Sequence, residues 1–259
     1  MKYISEFRDG DLAQNIVKAI HSESVSGRIM EFCGGHTITL VKYCIPDMLP
    51  SSLEMVSGPG CPVCVTSRAE IDSAIDLALN NNVVLASFGD MIRVPGNDHS
   101  LRDCMALGAD VRVVYSPNDA VELAMENRDK KVVFFAVGFE TTAPVTAAAI
   151  KLAESQNLKN FFALSAHKTT PGILKALLDG EIKLDAFVCP GHVTTITGTG
   201  MYSELIKAGK PCVVSGFEPL DILYSILMIV RQLRENRAEA QIQYSRVASE
   251  CGVIAASTE

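Results

Sequence analysis

The sequence predicts an α/β fold built on mostly parallel strands, and three observations carry that reading. Short apolar, β-rich runs alternate with segments of helical period along most of the chain. The runs are largely apolar and do not alternate, as strands buried on both faces are. Nearly every run ends in a Gly- or Pro-bearing loop that carries the polar residues, and in parallel α/β folds the site lies at the carboxyl ends of the strands.

In chain order the predicted strands are Arg28 to Phe32, Leu53 to Val56, Val83 to Ser87, Val111 to Tyr115, Val132 to Val137, Phe161 to Ser165, Ala186 to Cys189 and Cys212 to Ser215. Helical period marks Ala69 to Leu79, Asp119 to Asn127, Pro144 to Ser155 and Gly172 to Leu178, and one long amphipathic helix is expected from Ile222 to Ile242 with Arg231, Arg234 and Arg237 on a solvated face. Eight βα units suit either a single (β/α)8 barrel or two four-stranded lobes divided near Ser116 to Asp119, and periodicity alone leaves both open. The triplet Gly-Phe-Glu occurs twice, at 138–140 and 216–218, which suggests an internal repeat with Glu140 and Glu218 at equivalent points.

Composition narrows the function classes. The chain has 259 residues, 48% of them hydrophobic, with 23 Lys and Arg against 30 Asp and Glu. A net charge of -7 without a basic run argues against nucleic acid as a partner. The N-terminal residues form no apolar signal core, and the longest apolar stretch, Ile222 to Val230, is interrupted by Tyr224 and Ser225, so a cytoplasmic protein without membrane spans is expected. Eight cysteines in that setting are expected to be thiols. Cys44, Cys104 and Cys212 read as buried small hydrophobes.

Chemistry concentrates in the loops. Cys33 follows a strand and precedes Gly34, Gly35 and His36, so its sulfur is expected at a strand-to-helix turn where backbone N–H groups lower a thiol pKa. The glycines allow close backbone approach, and His36 can serve as ligand, shuttle or donor. Cys61-Pro-Val-Cys64, after a rigid Gly-Pro-Gly turn, suits a reversible disulfide or a soft metal; no second C-x-x-C exists to complete a structural zinc site. His167, beside Lys168, and His192 each follow a strand, and with Glu140 and Glu218 they are expected on the same rim. Asp90 and Arg93, in the turn leading to Gly96, read as supporting residues. No P-loop, dinucleotide fingerprint, nucleophile elbow or zincin motif is present.

Taken together, Cys33-Gly-Gly-His-Thr37, Gly58-Pro-Gly-Cys-Pro-Val-Cys64, the Phe88-Gly-Asp90 to Gly96 loop, Gly138-Phe-Glu-Thr-Thr142, Pro190-Gly-His-Val193 and Gly216-Phe-Glu-Pro219 make the chain resemble the HypD family of [NiFe]-hydrogenase maturation factors, over most of its length. The resemblance implies two similar α/β lobes around a cleft, at 1–117 and 118–243, with a tail at 244–259. It also implies a metallochaperone-type scaffold on which, with the small chaperone HypC, an Fe(CN)2CO group is assembled before transfer to the hydrogenase large subunit precursor. Cyanide would come from HypE. By motif position Cys33 would bind iron with Gly34 and Gly35 beside it, and His167 and Glu218, read from their places at strand ends, are expected around the group. Cys61 and Cys64 would supply redox or ligand chemistry, and His36, Glu140 and His192 would assist. A stand-alone thiol/disulfide oxidoreductase using Cys61 and Cys64 is the competing class. Two departures stand out. Ile38 occupies a position where many relatives carry a second His, and only Cys251 lies beyond Cys212, so the four ligands of the family's C-terminal [4Fe-4S] cluster are absent. On that reading the chain is either a fragment or a short natural form.

Overall fold

The computed structural model describes residues 5–180 and 183–253. In chain order the elements are α1 (Gly10–Ser22), β1 (Gly27–Glu31), α2 (Gly34–Lys42), α3 (Ile45–Met48), β2 (Leu53–Ser57), α4 (Pro62–Val65), α5 (Arg68–Ala78), β3 (Val83–Phe88), α6 (Leu101–Ala106), β4 (Asp110–Val114), α7 (Pro117–Glu126), β5 (Lys131–Ala136), α8 (Ala143–Ser155), β6 (Phe161–Ser165), α9 (Thr170–Leu178), β7 (Ala186–Pro190), α10 (Gly191–Thr197), α11 (Ser203–Lys207), β8 (Cys212–Ser215), α12 (Pro219–Arg234) and β9 (Ala240–Ile242). Among the described residues the strands form two open parallel sheets and no closed barrel, in the orders β2-β1-β7-β8-β9 and β4-β3-β5-β6.

The sheets do not divide the chain at 117. The first unit comprises residues 1–61 and 170–259, and the second is the continuous segment 62–169 placed between them. The physical reason is strand pairing: Ile29 to Glu31 of β1 align with Ala186 to Val188 of β7, more than 150 residues later, whereas β3 pairs with β4 and β5 nearby. Periodicity along the chain carries no information about such a distant partner.

Each unit has its own core. In the first, Ile20 and Ile16 of α1 pack with Ile29, Val188 and Val213 of the sheet and with Ile222, Ile226 and Ile229 of α12, while Phe187, Cys212, Tyr202 and Leu205 fill the other face. In the second, Ile71, Ala74 and Ala78 of α5 cover one face, and Val121, Ala124 and Ala149 of α7 and α8 cover the other. The buried pattern of β3, β5, β7 and β8 matches the uniformly apolar runs.

The long C-terminal helix is shorter than expected. α12 stops at Arg234 because Asn236 enters the left-handed region (φ 50) and the Arg237 N–H returns to the Gln232 carbonyl. The chain then adds a fifth strand, β9, beside β8. Arg231 and Arg234 pair with Glu23, just beyond α1, and Arg237 pairs with Glu235 and Glu239, so this arginine row meets protein carboxylates. Cys104 and Cys212 are buried as expected, but Cys44 is exposed at a left-handed residue (φ 49) that starts α3.

Candidate functional site

Both sheets have the same winding. In each, the first strand of the unit lies inside, the second pairs on one flank, and the third crosses to the other flank, so the strand order reverses between β1 and β7 in one unit and between β3 and β5 in the other. A crevice opens at the carboxyl ends of the strands at such a reversal. In the first unit the loops at that point are Cys33 to His36 after β1 and Gly191-His192 after β7; in the second they are Phe88 to Asp90 after β3 and Gly138 to Thr142 after β5. The two Gly-Phe-Glu triplets are not topological equivalents, because one follows the third strand of its sheet and the other the fourth. A repeated triplet reports local chain shape, and strand order is set by pairing.

Cys33 is the N-cap residue of α2, extended at φ -146 and ψ 125 and half-buried. Its thiol pKa is raised, against the expectation from the helix start. Burial is the largest cause; the N–H groups of Gly35 and His36 pull the other way, and the charge of Glu31 adds to the rise. Glu31, the last residue of β1, is fully buried. It accepts the Cys33 N–H at 3.0 Å and the Thr37 hydroxyl at 2.6 Å.

The loop bearing Cys61 is pressed onto this turn. A side chain at Gly60 would stand 2.3 to 2.5 Å from the Phe32 and Cys33 backbone, and one at Gly58 would meet Met30 and the Glu31 carbonyl. Only glycine permits that approach. Cys61 is half-buried there; Cys64, within α4, is exposed and belongs to the second unit. All eight cysteines are thiols.

Behind Cys33 an aromatic stack joins three loops. His36 is fully buried and lies against Phe217 with ring centroids 4.8 Å apart, and His192 covers Phe217 at 4.1 Å. Gly35 makes room for the ring, since a Cβ there would sit 2.8 Å from Phe217. Burial lowers the His36 pKa to about 4, so its imidazole is neutral; Nε2 lies 3.4 Å from the Ser215 carbonyl, and Nδ1 has no partner among the described residues. His192 is exposed on its other side. Glu218 caps α12 through its backbone N–H to Asp221, and its carboxylate is held by two bonds from Arg8. Asp221 is itself buried and engaged by Arg246 and Gln243, which ties the Gly216-Phe217 loop to the segment after β9.

In the second unit, His167 donates or accepts at Nδ1 with Ser165 at 3.0 Å, while its buried Nε2 is unpartnered among the described residues and its pKa is lowered by burial. Gly138 lies against Thr142 and His167, and Glu140 is half-buried in the same loop. Lys168 is paired with Glu70 at 2.5 Å. The Arg93 to Gly96 turn is structural: Asn97 bonds Asp72 of α5, and Gly96 is packed against that carboxylate.

Within the first unit the structure thus brings Cys33, Gly34, Gly35, His36, Cys61, His192 and Glu218 to the carboxyl ends of β1, β2, β7 and β8, and within the second Glu140 and His167 to those of β5 and β6. Sequence reading missed Glu31, Phe217 and Asp221. A charged residue closing an otherwise apolar strand was the one signal for Glu31. Among the described residues no three His, Cys, Asp or Glu side chains converge as a ready-made metal cage. The Cys33 thiol is the soft donor at this turn, of a kind suited to a soft metal.

The family model described as "Hydrogenase formation hypA family", for HypD, matches residues 11–259. The chain is similar to hydrogenase maturation factor HypD2 of Bradyrhizobium diazoefficiens, with 46% identity over all of this chain and 71% of that protein. It is 45% identical to hydrogenase maturation factor HypD of Azotobacter vinelandii, over 99% of this chain and 70% of the relative, and 42% identical to that of Cupriavidus necator, over 97% and 70%. With a match along nearly its whole length and the Cys33 and Cys61 loops folded onto each other, the chain belongs to the HypD family of hydrogenase maturation factors.

Proposed function

We propose that this hydrogenase maturation factor carries the iron of an Fe(CN)2CO group on the Cys33 thiolate, working as a scaffold with a HypC-type small chaperone and receiving cyanide from HypE. The iron is cargo, delivered in the end to a hydrogenase large subunit precursor. One observation carries the reading: Cys33 lies at the strand-order reversal of its sheet, at the start of α2, with the Gly35 and His36 N–H groups turned toward its sulfur. A soft thiolate suits an iron bound to strong-field carbon ligands, and N–H donors at Gly34 and Gly35 suit the outward cyanide nitrogens.

The other residues take roles by their surroundings. Burial keeps His36 neutral, so it acts as a polar wall and packing partner of Phe217. His192, stacked on Phe217 yet exposed, is the imidazole that a ligand arriving from solvent can touch. The Cys61 and Cys64 thiols would close to a disulfide, and the two electrons and two protons given up would cleave the sulfur–cyanide bond on the HypE donor, leaving a donor thiol and HCN.

The test is anaerobic co-purification with the small chaperone, followed by infrared spectroscopy in the cyanide and carbonyl stretching region. Cys33→Ala is expected to lose the bands while its circular dichroism stays native. Normal bands would move the iron to Cys61 or Cys64.

A further inference from the structure

Among the described residues, Glu31 is the one buried carboxylate of the first unit without a cation partner. It ends β1 after Ile29 and Met30 and is fully buried, in the same run of apolar residues that builds the sheet. Packing alone would be served by an apolar residue there, since a buried charge carries a large desolvation cost. Asp221, the other buried carboxylate of the unit, is met by Arg246. Among the described residues Glu31 has no ion pair; its partners are the Cys33 N–H and the Thr37 hydroxyl, both neutral donors from the first turn of α2. Those two donors and the helix start hold a carboxylate in place but leave its charge uncompensated.

We propose that Glu31 is a positioning residue whose buried charge draws a divalent cation to Cys33 and holds the Cys33 turn in shape to receive it. This rests on the reading of Cys33 as the iron-binding thiolate. Binding is a simple exchange: the thiol gives its proton to solvent and a sulfur–metal bond forms. For the metal as it arrives, before any cyanide joins it, a dication, one thiolate and one buried carboxylate sum to zero charge in a half-buried site. The carboxylate also spans the turn, since it grips the N–H of the cap residue and the hydroxyl four residues on, and Thr37 in turn lies 3.4 Å from the Cys33 carbonyl.

Co(II) under anaerobic, reducing conditions is the probe, because its thiolate charge-transfer absorption reports sulfur ligation directly. The Cys33-dependent part of the band is the difference between the unaltered protein and Cys33→Ala. Glu31→Gln, which keeps the shape and loses the charge, is expected to weaken that binding by about tenfold or more with the band position unchanged. Glu31→Asp keeps the charge and shortens the reach, and is expected to stay within about threefold of the unaltered protein. Wild-type affinity in a natively folded Glu31→Gln, with the band lost in Cys33→Ala, would overturn the role of Glu31 and leave Cys33 as the ligand. If Glu31→Gln fails to fold, a tenfold loss in folded Glu31→Asp overturns it instead. An unchanged band in Cys33→Ala would remove both readings.

Discussion

Three glycines near Cys33 differ in what surrounds them, and the difference is measurable. At Gly34 an added Cβ meets nothing within 4 Å; at Gly35 it meets the Phe217 ring at 2.8 Å; at Gly60 it meets backbone at 2.3 Å. Gly34→Ala is expected to leave the urea midpoint within about 0.5 kcal/mol of the original stability. Gly35→Ala should cost about 1–3 kcal/mol, because Phe217 is held between two imidazoles. Gly60→Ala should cost more than Gly35→Ala, since backbone yields less than a ring; equal midpoints for all three would refute this ordering. His36 adds a pH dependence. Its pKa is about 4 in the fold against 6.5 for a free imidazole, chiefly through burial. Between those values the unfolded chain binds a proton that the native one does not, so stability is full above about pH 6.5 and declines by about 3 kcal/mol as pH falls through 4. His36→Gln is expected to flatten the stability–pH profile in that window, so that its difference from the original profile follows the His36 titration. Of these residues, Gly35 was legible from the sequence as a place of close approach, whereas Gly34, read the same way, is open and Gly60 was read only as part of a rigid turn. What approaches Gly35 was not legible, because Phe217 lies 182 positions from it.

Helix α12 and strand β9 show how one helix stop remakes an element. Apolar period runs on past Arg234, but Gln232, fully buried, bonds the Glu239 N–H and the Gln241 amide and so favours a turn that returns the chain to the sheet. The segment after β9 is then anchored by Arg246, whose guanidinium grips both oxygens of Asp221 at the start of α12 and lies over Tyr244 and Phe7. Arg246→Ala would leave Asp221 buried without its ion pair, and a loss of about 3 kcal/mol in chemical denaturation is expected. Arg246→Lys should recover little of it, because an ammonium cannot make the two-point contact or the ring stacking. Full recovery by lysine would show that charge alone sustains the contact. α5, α6 and α7 each start at a Ser with an acidic residue three positions on, a local pattern that the reading of apolar periods did not use.

On the scale of the whole chain, residues 62–169 form a continuous segment whose apolar clusters are made of its own residues. Expressed alone, this segment is expected to fold, with helical circular dichroism and one cooperative urea transition. A molten profile without a cooperative transition would show that its core depends on the rest of the chain. The first unit, assembled from two stretches, cannot be tested by a single cut.

What the sequence determined by itself was the class of fold, the parallel character of the strands, and the position of the Cys, His and Gly motifs at strand ends. Those follow from local properties: apolar runs buried on both faces, Gly and Pro at strand ends, and residue types suited to soft metals. The tertiary structure alone decided the division of the chain, the end of α12, the burial that raises the Cys33 thiol pKa, and the stack of His36, Phe217 and His192. Each of these depends on which distant segment packs beside a residue. Cys33 shows the physical reason most directly: the helix start that lowers a thiol pKa is local and visible in the sequence, while the desolvation that outweighs it comes from residues brought in by the fold.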